Sequence, residues 1–178
     1  MKCSVYIATS ADGFIAKPDG DIEWLLREEY EDAAKTGLVY SEFISTVDAI
    51  VMGRHSYEKV LTFGDWHYEG VEVIVLTTKK LTAPERLTGK VRFESGAPKE
   101  IIRKLTKEGK NHLYIDGGVT IQRFLEAKLI NEMTITVIPI LLGNGIPLFN
   151  NGKEEQQLEL MDVSTSKNGT VQKRYRVK

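Results

Sequence analysis

The chain has one cysteine, three histidines and five prolines in 178 residues. A single cysteine, Cys3, excludes an internal disulfide and any zinc site built on paired thiolates. Cys3 stands in an alternating apolar stretch and is expected to be a small buried side chain rather than a catalytic thiol. His55, His67 and His112 are too scattered for metal-ligand spacing, so no metal is expected. The longest apolar stretches, such as Val137–Leu142, fall far short of the roughly 20 residues that cross a bilayer. Met1-Lys2 leads straight into a strand with no apolar signal core, which makes the cytoplasm the expected compartment. Lysine and arginine number 24 against 25 aspartates and glutamates, a net charge of −1. That balance offers neither nucleic acid nor an anionic membrane a general basic surface. The expected partner is a small molecule.

What is present fits one globular domain spanning residues 1–178, with 42% hydrophobic and 28% charged residues. Lys2–Thr9 alternates and reads as a first strand, broken by Ser10-Ala11-Asp12-Gly13 and resumed at Phe14-Ile15-Ala16. A polar, helix-favouring region runs from Trp24 to Val47, interrupted near Gly37. Strands are expected at Asp48–Met52, Val71–Thr77, Val91–Glu94 and His112–Ile115, and helices at His55–Leu61, Pro98–Thr106 and Val119–Ala127. The last part changes character. Glu132–Ile138 is a long β-branched run, and Asn168-Gly169 joins two alternating strands, Leu158–Ser166 and Thr170–Val177, as a hairpin. The order β-α-β-α followed by an antiparallel meander implies an α/β fold, with a mixed, mostly parallel sheet flanked by helices.

Two segments stand out within that frame. Met52-Gly53-Arg54-His55-Ser56-Tyr57 and Ile115-Asp116-Gly117-Gly118-Val119-Thr120 each carry a strand through glycine into an amphipathic helix. Such a turn places backbone N–H groups and a positive helix end where a phosphate can sit. Gly53 would admit the ligand, His55 and Ser56 would follow it with donors, and Arg54 offers a fork suited to a phosphomonoester. Gly117 and Gly118 remove two Cβ atoms where a pyrophosphate would lie, with Val119 and Thr120 opening the helix. Either turn alone could instead be an ordinary strand-to-helix connection. Two in one chain suggest a single extended phosphorylated ligand.

Weaker signals surround them. Thr77-Thr78-Lys79 ends the middle strand and could read a ribose 2′-phosphate, or be plain loop residues. Gly143-Asn144-Gly145 completes no dinucleotide fingerprint and is expected to be a structural turn. Asp12, Asp21 and Glu23 gather around Gly13 and Trp24, where a carboxylate beside an indole could bind a polar heterocycle or pass a proton. Solvated loop acids would look the same.

Met52-Gly53-Arg54-His55-Ser56-Tyr57-Glu58 resembles the corresponding segment of dihydrofolate reductases, and Ile115-Asp116-Gly117-Gly118 with Phe124-Leu125 resembles their double-glycine turn and helix. Ser10–Ala16 and Pro139–Phe149 are similar to the reductase domain of the bifunctional riboflavin-pathway deaminase-reductase and its stand-alone bacterial homologues. The resemblance runs from about Val5 to Phe149. It implies a dihydrofolate-reductase-like three-layer α/β fold with a C-terminal antiparallel hairpin, NADPH as hydride donor, a pyrimidine- or pteridine-like substrate and pairing as a homodimer. It also implies that Gly53, Arg54, His55 and Ser56 face the adenosine phosphates, with Thr77 and Thr78 at the adenine ribose and Arg54 and Lys79 as candidates for its 2′-phosphate. Gly117, Gly118, Val119 and Thr120 would hold the pyrophosphate, and Ala8, Ile15 and Ala16 would border the nicotinamide. No acid aligns with the essential one of dihydrofolate reductases. Asp12 is therefore the first candidate for a substrate contact or proton route, with Asp21 and Trp24 beside it. A non-catalytic NADPH-binding protein on the same fold is the rival expectation.

Overall fold

Ile50-Val51-Met52 and Val73-Ile74-Val75 are apolar at successive positions and fully buried, a pattern that only a strand covered on both faces accommodates. The computed structural model describes residues 1–150 and 154–178. Its strands are β1 (Lys2–Ser10), β2 (Phe14–Ala16), β3 (Ala49–Gly53), β4 (Glu72–Leu76), β5 (Val91–Glu94), β6 (His112–Asp116), β7 (Glu132–Ile138), β8 (Ile146–Pro147), β9 (Leu158–Thr165) and β10 (Val171–Val177). The α-helices are α1 (Tyr40–Ile44), α2 (Arg54–Leu61), α3 (Pro98–Lys107) and α4 (Gly118–Glu126).

Eight strands form one sheet in the order β5-β4-β3-β6-β1-β7-β10-β9, and β2 pairs with β8 in a small separate ribbon. The six strands from β5 to β7 are parallel, while β10 and β9 run antiparallel at one edge. This is the mixed, mostly parallel sheet with a C-terminal antiparallel hairpin that the residue pattern implies. Alternate residues feed two cores. Val5, Ala49, Val51, Ile74, Leu113 and Ile115 pack on one face with Ile101 and Leu105 of α3 and Ile121 and Phe124 of α4. Ile50, Met52, Val73, Val75 and Tyr114 pack on the other with Phe43 of α1 and Tyr57 of α2. Helix, sheet, helix is the three-layer arrangement.

The region from Trp24 to Val47 departs from a helical reading. Glu23–Leu26 and Glu28–Lys35 are 3-10 helices, and only α1 is α-helical there. Acids fill the first turn of the second 3-10 segment, and few apolar side chains reach the sheet from it. Without an apolar stripe at helical spacing, nothing draws a longer helix down onto the core. Trp24 and Ala33 are buried with Ile138 in a third cluster. Cys3 is fully buried, and burial pushes its thiol up to about 12, which fits an inert core side chain.

Candidate functional site

β3 and β6 are parallel neighbours, with Met52 beside Asp116. From β3 the chain enters α2 on one face of the sheet, and from β6 it enters α4 on the other. Helices leaving two adjacent strand ends toward opposite faces open a crevice between them, the general ligand position in open α/β sheets. Both glycine turns lie at this crevice. Gly117 has φ +85°, and a Cβ there would overlap Ser56 Oγ. A Cβ at Gly118 would stand 2.8 Å from Ile15 Cδ1, and one at Gly53 would stand 3.0 Å from Thr120 Oγ1. The structure therefore brings Gly53, Ser56, Gly117, Gly118, Thr120 and Ile15 together, although they come from three separate segments.

Neither α2 nor α4 has a side-chain cap; Gly53 and Gly117 occupy the N-cap positions. Their first-turn N–H groups thus lack the hydroxyl or carboxylate that usually satisfies them. Thr120 is buried beneath Gly53, whereas Val119 is two-thirds exposed. Arg54 Nη1 donates to both carboxylate oxygens of Glu58 at 2.7 Å, and Nη2 makes a 2.6 Å contact with His55 Nε2. Thr77, Thr78 and Lys79 leave β4 next to this turn, because Leu76 pairs with Gly53. The Lys79 amide donates to Thr77 Oγ1 at 3.0 Å, which folds that segment into a tight turn.

On the other side of the crevice, β1 and β6 stay in register only from Lys2–His112 to Ser4–Tyr114, while β1 follows β7 as far as Ser10–Ile138. Beyond Ser4 the sheet opens on the β6 side of β1, alongside Ala8. The β2–β8 ribbon sits above, where Gln122 Nε2 donates to the carbonyls of Pro147 and Leu148 at 3.0 and 3.2 Å. A Cβ at Gly145 would overlap the Ala16 carbonyl oxygen. The Gly143–Gly145 turn is thus a close backbone crossing with a structural role.

Asp12 is bound on both oxygens. Its Oδ1 accepts from Ser10 Oγ at 2.6 Å and from the Leu142 amide at 3.2 Å, and its Oδ2 accepts from the Gly143 amide at 2.7 Å. The Ser10 hydroxyl, with those amides, holds the carboxyl below its ordinary value. Asp21 pairs with Lys17 at 2.9 Å and accepts from the Glu23 amide, with the Lys17 ammonium lowering its titration. Trp24 is 1% exposed, and its indole N–H finds no acceptor among the described residues. These three residues lie apart from the glycine turns in the hydrogen-bond pattern, tied to the β1–β2 loop, the segment after it and the Ile138 cluster.

Asp116 is the residue that sequence reasoning passed over. It ends β6, directly before the double glycine. Burial pushes its carboxyl up, opposed more weakly by its contacts with Tyr114 and the Gly117 amide. Tyr114 Oη lies 3.1 Å from Asp116 Oδ1 and 2.8 Å from the Tyr6 carbonyl oxygen. Tyr40 and Tyr68 stand close enough that burial first, and the Asp116 charge second, push their phenols up. The Tyr40 hydroxyl has no partner among the described residues. Tyr6, Tyr40, Phe43 and Tyr114 form an aromatic wall with ring centroids 5.0 to 6.5 Å apart, Tyr6 stacked on Phe43 and the other pairs edge-on. A strand-end carboxylate abutting Gly-Gly was the available signal; Tyr6, Tyr40 and Tyr68 come from distant segments.

Residues 2–172 match the family described as the RibD C-terminal domain. The uncharacterized protein YwjB of Bacillus subtilis (strain 168) is 37% identical over 163 residues, covering 89% of this chain and 88% of that one. A solved structure named "Putative riboflavin biosynthesis protein", from Shewanella sp. PV-4, superposes with a TM-score of 0.89 at 37% identity, over 100% of this chain and 99% of that one. Dihydrofolate reductase from Enterococcus faecalis, complexed with NADP(H), has a TM-score of 0.65 at 14% identity over 99% of this chain and 96% of that one. The last likeness is one of fold.

Proposed function

This chain belongs to the RibD C-terminal domain family, and on that premise we propose that it is an NADPH-dependent reductase of a small pyrimidine- or pteridine-like heterocycle. The observation that carries this reading is the convergence of the two glycine turns at the β3–β6 crevice, where a Cβ at Gly117 would collide with Ser56. A pyrophosphate needs that kind of close backbone approach, and the uncapped first turns of α2 and α4 supply N–H donors to it. In this reading Gly53, His55, Ser56, Gly117, Gly118, Val119 and Thr120 hold the phosphates, although Thr120 acts from beneath the turn. Arg54, with Lys79, meets the ribose 2′-phosphate, and Thr77 and Thr78 line the ribose. Ala8, Ile15 and Ala16 border the nicotinamide.

The bound cofactor would supply a hydride, two electrons with it, to an electrophilic carbon of a C=N or C=O bond. The protein then has to orient the reactants, exclude water and place a proton on the heteroatom. We assign that proton to Asp116. Desolvation raises its half-buried carboxyl, as a general acid requires, and it ends the strand beside the opening left by β1. Asp12, whose oxygens are committed to loop amides, fastens the β1–β2 turn to residues 142–143 in this scheme. Asp21 and Trp24 shape the wall on the β7 side.

We further assign self-association as a homodimer to β9, the edge strand. Leu160 and Val163 are 54% and 52% exposed there, and an uncovered apolar edge invites pairing. No helix among the described residues is long and apolar enough to cross a membrane. A lone buried thiol suits the reducing cytoplasm in which we place the protein.

The test is NADPH titration of the full chain, followed by a screen of pyrimidines, pteridines and flavin precursors for NADPH oxidation. Binding with turnover of one of them is expected. Binding without turnover of any would favour a non-catalytic NADPH-binding protein, and no binding would remove both readings.

A further inference from the structure

Tyr114 Oη touches two acceptor oxygens, the Tyr6 carbonyl at 2.8 Å and Asp116 Oδ1 at 3.1 Å. A phenol carries one proton and can donate it once. The shorter contact is to the carbonyl. A phenol donating to an ionised carboxylate would approach to about 2.5–2.7 Å, because such bonds are charge-assisted. The Asp116 contact is too long for that. With the phenol proton on the shorter contact to Tyr6, a proton on Asp116 turns the longer O···O contact into a full hydrogen bond.

We propose that Tyr114 gives its hydroxyl proton to the Tyr6 carbonyl and accepts one from Asp116, so that the resting protein holds Asp116 as the neutral acid. Tyr114 is then a positioning residue: it does not touch a reactant but fixes where the Asp116 proton sits. The surroundings agree. The groups that face Asp116 are Tyr114 on its own strand, Tyr40 from α1 and Tyr68 from the segment before β4. Tyr6 sends its hydroxyl away, to the Leu38 carbonyl at 2.9 Å. Among the described residues no lysine or arginine is paired with Asp116, so nothing cationic there favours the ionised form. The neutral acid can still accept from the Gly117 N–H while it donates to Tyr114.

The catalytic consequence rests on the reductase reading; the protonation state does not. As a hydride adds to the substrate carbon, the Asp116 proton passes to the adjacent nitrogen or oxygen. The C=N or C=O π bond breaks, new C–H and N–H or O–H bonds form, and Asp116 is left as a carboxylate to be reprotonated by solvent.

The experiment is a pH titration of Asp side-chain carboxyl 13C resonances in the ligand-free chain, with Asp116 assigned by its loss in Asp116→Asn. The expected Asp116 midpoint lies above the ordinary aspartate range, and Tyr114→Phe lowers it by about one unit or more, a tenfold change in proton dissociation. The fall follows because the variant takes an acceptor from the neutral acid. A midpoint at or below the ordinary range overturns the proposal. So does an unchanged or higher midpoint in Tyr114→Phe, which would mean that Tyr114 had been donating to a carboxylate.

Should Tyr114→Phe not fold, thermal unfolding of Asp116→Asn and the parent chain across pH decides the matter. A raised folded-state midpoint stabilises below the ordinary aspartate value and is lost as pH climbs through the folded one. The Asn variant should therefore gain on the parent chain as pH rises. A variant that falls behind as pH rises overturns the proposal. NADPH binding, measured on the same samples, is a separate outcome: its failure ends the reductase reading and leaves the proton assignment standing.

Discussion

Gly117 and Ser56, which lie on different turns, occupy one space: a side chain at position 117 would overlap the Ser56 hydroxyl. The contact ties the end of β6 to the first turn of α2. Gly117→Ala should destabilise the chain by at least about 1 kcal/mol, because Gly117 also sits at φ +85°. It should abolish NADPH binding as well. Gly118→Ala meets only the flexible tip of Ile15 at 2.8 Å. It should keep the melting temperature nearly unchanged while weakening NADPH. Differential scanning calorimetry with NADPH titration separates the two, and equal effects would detach the turn from cofactor binding.

Arg54 is engaged by Glu58 at 2.7 Å on both carboxylate oxygens. A 2′-phosphate would have to share or displace that partner. Arg54→Ala should weaken NADPH by about tenfold or more, the worth of a charge-assisted hydrogen bond, with little change for NADH. Glu58→Gln should tighten NADPH, since the guanidinium is freed. An unchanged NADPH-to-NADH ratio in Arg54→Ala would take Arg54 out of the phosphate role.

His112 predicts an acid-sensitive fold. Its Nε2 lies 2.8 Å from Ser4 Oγ and its Nδ1 2.8 Å from the Thr46 carbonyl. Burial holds its protonation below the ordinary value of 6.5. The unfolded chain therefore takes up the proton first as pH falls, so stability is lost progressively from about pH 6.5 downward. Urea unfolding of His112→Gln against the parent chain should show a difference that shrinks over this interval. A difference independent of pH would mean that the imidazole does not titrate with folding.

The row of Leu158, Leu160, Met161 and Val163 on β9 is between 38% and 54% exposed. Light scattering should give a dimer for the parent chain and a monomer for Val163→Glu, with NADPH binding retained. A parent chain that stays monomeric at high concentration would leave β9 a bare edge.

Most of the sheet was legible because its strands are apolar runs ended by glycine. Glu132–Ile138 and Phe14–Ala16 sit where alternation and punctuation put them. The segment from Trp24 to Val47 was not legible. Its acids suit a helix end as well as a loop, and only contact with Ile138 decides what Trp24 does. The two glycine turns were readable as a pair, yet their meeting depends on β3 and β6 being neighbours, which local pattern does not encode. Asp116 was hidden for a similar reason. Next to Gly117-Gly118 it looks like a turn residue, and Tyr40 and Tyr68 come within electrostatic reach of it only in the fold.

The register between β1 and β6 has a mechanical side. It holds three residue pairs, against seven between β1 and β7. The sheet thereby falls into two four-stranded leaves, β5-β4-β3-β6 and β1-β7-β10-β9, joined along a short seam. Tyr114 bridges that seam through the Tyr6 carbonyl. A ligand reaching from the glycine turns to Ala8 would span both leaves and act as the missing stitches, so the seam amides should be where ligand most slows hydrogen exchange.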